Sequence, residues 1–120
     1  MTNPAAATAL GPMVIVATEQ YLPAADRLLD DPLAAQMLTG SGRAFVNLAR
    51  WRPVREALIG LSEMSAPGIT GSVLCRKRYV ADRLAQALPA TDAVVILGAG
   101  LDTTGARLTT TRAVPVFEVD

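Results

Sequence analysis

Apolar residues keep helical spacing along most of this chain and change to a strand-like run just after residue 90. From Ser72 to about Leu88, Val73, Val80, Leu84 and Leu88 recur at intervals near one and two turns, with Ala81 and Ala85 between them, which predicts an amphipathic helix. Earlier, residues 23–30 read as a short helix with Pro23 in the first turn and Leu28 and Leu29 on its apolar side. Residues 31–40 read as another, with Asp31 as N-cap, Pro32 in the first turn, Leu33, Met37 and Leu38 on one stripe and Gly40 as the stop. Residues 43–62 predict a longer helix interrupted at Pro53, and 65–71 a loop. After a turn at 89–92, residues 93–97 are apolar at every position and β-branched at three of them. That is the pattern of a strand buried on both faces of a parallel sheet. A threonine-rich and intrinsically weak helix is expected over 103–110. A second strand follows over 114–120, with Pro115 tolerated near its start.

The order of elements predicts an α/β fold in which a helical region precedes a β-α-β unit. Three segments follow: a loose lead-in over 1–17, a helical region over 18–90, and the start of a cofactor-binding unit over 91–120.

Composition narrows the possible functions. The 120 residues are 51% apolar, and eleven basic residues balance eleven acidic ones. A net charge of zero gives no electrostatic case for nucleic acid or an anionic membrane, and Arg76-Lys77-Arg78 is too short a cluster to change that. One cysteine and no histidine exclude a disulfide framework, histidine-based catalysis and most zinc sites. Residues 13–17 are too few to span a bilayer, and the first positive charge, Arg27, lies downstream of them, which argues against a secretory signal. A cytoplasmic protein is expected.

The chemistry concentrates in Asp92-Ala-Val-Val-Ile-Leu-Gly-Ala-Gly-Leu-Asp-Thr-Thr104. Glycines at 98 and 100, directly after a strand, let backbone approach a ligand at the carboxyl edge of a sheet. Asp120, twenty residues after Gly100, stands where an acidic side chain meets ribose hydroxyls. A nucleotide-type site and a plain structural turn both fit this pattern. Within the first reading, Thr103 occupies the third glycine position of a dinucleotide fingerprint, Gly105 comes two residues late, and Asp102 sets a negative charge where pyrophosphate would sit. All three features favour S-adenosylmethionine over a dinucleotide. No Gly-Lys-Ser/Thr follows, which excludes a phosphate loop.

Residues 97–108, Leu-Gly-Ala-Gly-Leu-Asp-Thr-Thr-Gly-Ala-Arg-Leu, followed by Val-Phe-Glu-Val-Asp at 116–120, resemble the leucine carboxyl methyltransferase family and its bacterial methyltransferase relatives. Residues 26–38 resemble that family's N-terminal helical segment, and 74–84 its arginine-bearing helix. Thr104 departs from the bacterial relatives, many of which carry arginine there. The resemblance implies a Rossmann-like class I methyltransferase sheet and an S-adenosylmethionine-dependent O-methyltransferase acting on a small-molecule or carboxylate-bearing acceptor. It also implies site roles. Arg76 would pair with the cofactor carboxylate, Gly98 and Gly100 would form the backbone cradle, and Asp120 would hold the ribose. A solvated helix charge is the plain alternative for Arg76. Asp102 either meets the amino end of the cofactor or caps the following helix.

Glu118 is expected to be structural, with Arg107 or Arg112 as partner, Cys75 to be a buried thiol, and Trp51 and Tyr79 to belong to the core. The family's sheet has seven strands and this chain supplies two, so a truncated and inactive N-terminal part is expected. The alternatives are a non-catalytic protein that completes its sheet with a partner, and part of a dinucleotide-binding oxidoreductase.

Overall fold

A computed structural model describes residues 4–111 and 114–119. Six α-helices and two strands follow in the order α1 (Pro4–Glu19), α2 (Ala34–Met37), α3 (Gly40–Leu48), α4 (Arg52–Ser65), α5 (Ile69–Ala87), β1 (Val94–Leu97), α6 (Thr104–Thr111) and β2 (Val116–Val119). Short 3₁₀ turns lie at Ala24–Asp26 and Leu88–Ala90.

The expected loose lead-in is replaced by a helix, α1, which is the hub of the helical region. From Leu10 to Ala17 it is apolar on nearly every side, a pattern that suits a helix surrounded by others rather than one lying on a surface. It packs against α2, α3 and α5. Met13, Val16 and Ala17 meet Leu29, Ala34, Leu38, Val46, Val73 and Leu74 in a single core.

The other helices follow their breakers. The expected helix over 23–30 shrinks to the 3₁₀ turn, and the one over 31–40 to the four residues of α2. Gly40, at φ +54°, marks the boundary between α2 and α3 as well as a stop. The interruption expected at Pro53 is a complete break. Proline clashes with the carbonyl four residues back, so α3 ends at Leu48 and Pro53 falls in the first turn of α4, where its missing N–H costs nothing. The residue whose carbonyl is thereby freed, Ala49, accepts a hydrogen bond from Arg55 Nη1 at 3.3 Å. α5 begins earlier than expected, at Ile69. Gly68 turns the chain at φ +78°, and the Glu63 carboxylate accepts the amide hydrogens of Gly68 and Thr70.

The strands sit within the ranges read from the sequence and pair in parallel, Val94 with Val116 through Leu97 with Val119. One face lies on α6, where Gly105 brings the helix close enough for Glu118 and Ile96 to occupy the space a Cβ would need. The late glycine of the fingerprint thus serves helix–strand packing, a role usually filled by the third glycine. The other face is uncovered: Val95, Leu97, Phe117 and Val119 are 58, 77, 57 and 51% exposed. β1 is therefore not buried on both faces as its all-apolar sequence predicts, because the helices of this chain cover one side of the sheet. Among the described residues, no helix is long and apolar enough to cross a membrane.

Leu38 is fully buried at the centre of the core. Leu38→Ala is expected to lower unfolding free energy by about 2–5 kcal/mol, read from urea denaturation followed by circular dichroism.

Candidate functional site

The glycine turn follows β1 directly. Gly98 and Gly100 have φ of +64° and +54°, a region that residues with a Cβ enter at a cost. A Cβ on Gly98 would have open space within 4 Å, so backbone conformation, rather than crowding, calls for glycine there. The Gly98 N–H donates to Val119 O at 2.7 Å. It therefore extends the strand ladder. Ala99 O accepts the Asp102 N–H at 2.8 Å and closes the turn.

Asp102 caps α6. Its Oδ1 accepts the Thr104 N–H at 2.9 Å and the Thr104 hydroxyl at 2.8 Å, which satisfies a first-turn amide. The same oxygen receives Lys77 Nζ from α5 at 3.1 Å. Burial alone would raise the Asp102 pKa. The hydrogen bonds from Thr104 and the charge of Lys77 together outweigh burial and hold it below the usual aspartate value. Of the two roles open to Asp102, the cap is the one its contacts form.

Thr103 explains why the third glycine position is not glycine. Its side chain is buried, and its hydroxyl donates a hydrogen bond to Asp31 Oδ2 across 72 residues of chain. Asp31 is itself buried. Its Oδ1 accepts the Leu33 N–H at 3.2 Å, its own N–H donates to Gln20 Oε1 at 3.0 Å, and Arg107 Nη1 stands 4.0 Å from Oδ2. Gln20 Nε2 in turn donates to Val16 O and Leu29 O. The expected N-cap of the second helix thus bonds to that segment's first turn and, with its other oxygen, to the glycine turn.

The basic triplet separates along α5. Arg78 pairs with Asp82 and reaches Leu28 O at 3.0 Å. Lys77 is largely buried against Asp102. Arg76 is exposed and lines a depression of about 140 Å³ together with Leu29, Lys77, Asp102, Thr104 and Arg107. The turn and the helix thus bring Arg76 and Asp102 to one place, with two further cations beside them. Sequence reasoning singled out neither Lys77 nor Asp31 for the site. The triplet itself was the available signal for Lys77, whereas nothing local marks Asp31 as a partner of Thr103.

Three sequence expectations need correction. Cys75 is exposed, as are Trp51 and Tyr79, the last with Arg83 stacked 5.7 Å from its ring centroid. Of the two partners expected for Glu118, Arg107 stands toward Asp31. Arg112 and Asp120 lie outside the described residues. Among the described residues, no group of three or more histidine, cysteine or acidic side chains is placed to hold a metal.

Two outcomes follow from this arrangement. Thr103→Val removes a donor from a buried carboxylate and is expected to cost about 1–3 kcal/mol in urea denaturation, whereas Thr103→Ser restores most of it. Because the folded Asp102 pKa lies below its unfolded value, its contribution is complete above about pH 4 and is lost as pH falls through the folded pKa. Acid denaturation below about pH 4 should therefore be shallower in Asp102→Asn than in the parent chain.

A β-strand, a two-glycine turn, a capped helix and a parallel second strand, with an arginine helix alongside, form the geometry to which the comparisons with known proteins apply. No curated protein and no solved structure gives a match. The model of the leucine carboxyl methyltransferase family matches residues 9–120, which takes in every element described here except the first turn of α1, and the chain therefore belongs to that family.

Proposed function

We propose that this chain carries the S-adenosylmethionine side of an O-methyltransferase, with the methionyl end of the cofactor in the depression between α5 and the glycine turn. The observation that carries the reading is the convergence of Arg76, Lys77 and Arg107 on the turn that follows β1. Three cations against one carboxylate favour an anionic group there. Lys77 is committed to Asp102, and Arg107 stands toward Asp31. Arg76 is the exposed one, and its planar fork suits a carboxylate. Because Asp102 already accepts from Thr104 and Lys77, its role in this reading is to hold the turn and α6 in place. Gly98, bare of neighbours on its Cβ side, leaves room for a ligand to approach the backbone. Asp120 keeps the ribose role implied by the family motif.

When bound, the cofactor supplies a methyl group on a sulfonium. The protein's work is then mainly to position it against an acceptor oxygen. A carboxylate acceptor is already nucleophilic, so a chain without histidine is no obstacle. We also infer that the sheet is one part of a larger Rossmann-like sheet, since four apolar side chains on its outer face are left to solvent. Further strands and helices, from a continuation of the chain or from a partner, would cover that face and complete the adenine and acceptor sites. Without them, the 120 residues hold only part of the machinery.

Calorimetric titration tests the cofactor reading. S-adenosylmethionine is expected to bind and NADH not to bind. Arg76→Ala and Asp120→Ala should each weaken S-adenosylmethionine binding about ten-fold or more. Unchanged affinity in both variants would sink the assigned roles, and tight binding of NADH alone would revive the dinucleotide reading.

A further inference from the structure

The helical region holds two adjoining cavities that share no wall residue with the depression at the glycine turn. The larger, about 630 Å³, is an apolar trough walled by Leu10, Ile15, Phe45, Ile69 and Val73. That volume falls within the range of small-molecule sites, roughly 300–1,000 Å³. The smaller, about 80 Å³, adjoins it, with Val14, Ile15, Phe45 and Ser62 lining both.

The smaller chamber is where the chemistry changes. Arg55 stands in its wall and is 9% exposed. The acceptor recorded for its guanidinium is the carbonyl of Ala49. Among the described residues no carboxylate lies within the 4.0 Å of an ion pair. Glu19 lines the same chamber but is committed, since its two oxygens accept the amide hydrogens of Leu28 at 2.7 Å and Leu29 at 3.2 Å. The neighbouring Glu56 pairs with Arg52 at 2.7 Å, and the charge of Arg55 acts on its carboxylate only as the smallest influence, beyond ion-pair distance. A guanidinium has five donors and is costly to bury without an anion. Here it lines the small chamber that adjoins an apolar trough, and Thr18, Ser62 and Thr70 line the same chamber.

We propose that this pair of cavities is a binding site for an aliphatic carboxylate, with its chain in the trough and its head group on Arg55. Charge complementarity selects the head and the apolar walls select the tail. The inference is independent of the cofactor reading. It assigns a second ligand site to the helical region, and the ligand need not be the methyl acceptor.

Calorimetry on the 120-residue chain without cofactor, using decanoate and decanol as probes, tests it. Decanoate is expected to saturate one site and to bind at least about ten-fold more tightly than decanol. Arg55→Gln should abolish that preference while leaving decanol binding in place. Ile69→Trp, at a half-exposed position on the trough wall, should weaken both ligands. Absence of saturable decanoate binding, equal affinity for the two probes, or a preference retained in Arg55→Gln overturns the proposal. Should Arg55→Gln fail to fold, Ile69→Trp decides: decanoate binding unmoved by it places the carboxylate elsewhere and overturns the proposal too. Because no cofactor is present, none of these failures bears on the glycine turn.

Discussion

The hydrogen bond from Thr103 to the buried carboxylate of Asp31 ties the two halves of this protein together. On one side of it lies the helical core. Asp31 is held there through its backbone by Gln20, whose amide also binds carbonyls of Val16 and Leu29. On the other lies the glycine turn, with Thr103 one residue beyond Asp102 and one before the start of α6. A carboxylate with no access to water is tolerable when donors surround it and expensive when one is missing. The same desolvation that makes Asp31 costly therefore makes the position of Thr103 strongly specified. The turn inherits its place relative to α5, and with it the approach of Lys77 to Asp102 and of Arg76 to the adjoining depression.

What the sequence made legible was local. The β-branched run at 93–97, the glycines at 98 and 100 and the second apolar run after 114 each signal their conformation through local residue type, and both strands form inside those ranges. Proline and glycine likewise marked where helices end. What stayed hidden depended on distant partners. α1 reads as a lead-in because its start is rich in small residues and broken by Gly11 and Pro12, yet it forms a helix packed against α2, α3 and α5. Asp31 looks like an ordinary cap, and its second bond lies 72 residues away. Burial of Trp51, Tyr79 and Cys75 was inferred from residue type, which states an average and not a location. The motif residues fared unevenly for the same reason. Gly98 and Gly100 have positive φ and Asp102 makes the local cap contacts with Thr104, whereas its bond to Lys77 comes from another helix.

Net neutrality conceals a segregated charge distribution. Surface pairs such as Arg52 with Glu56 and Arg78 with Asp82 are exposed, span a single helical turn and are worth little to stability. Several other charges do structural work between elements. Lys77 joins α5 to the turn, Glu63 joins the end of α4 to the start of α5, and Glu19 holds the segment entering residues 28 and 29. Arg76 lines the surface depression, and Arg55 lines the interior chamber while its Nη1 donates to the Ala49 carbonyl.

Pro53 has an effect that reaches beyond the break it makes between α3 and α4. By failing to donate an N–H it leaves the Ala49 carbonyl available, and Arg55 takes that carbonyl as its anchor. Positions 53 and 55 are therefore coupled through a third residue whose side chain plays no part. A residue with an N–H at 53 would let the helix run through and would compete for the same oxygen, releasing the guanidinium two positions later. Substitutions at these two sites should be read as a pair, because the effect of either one depends on what occupies the other.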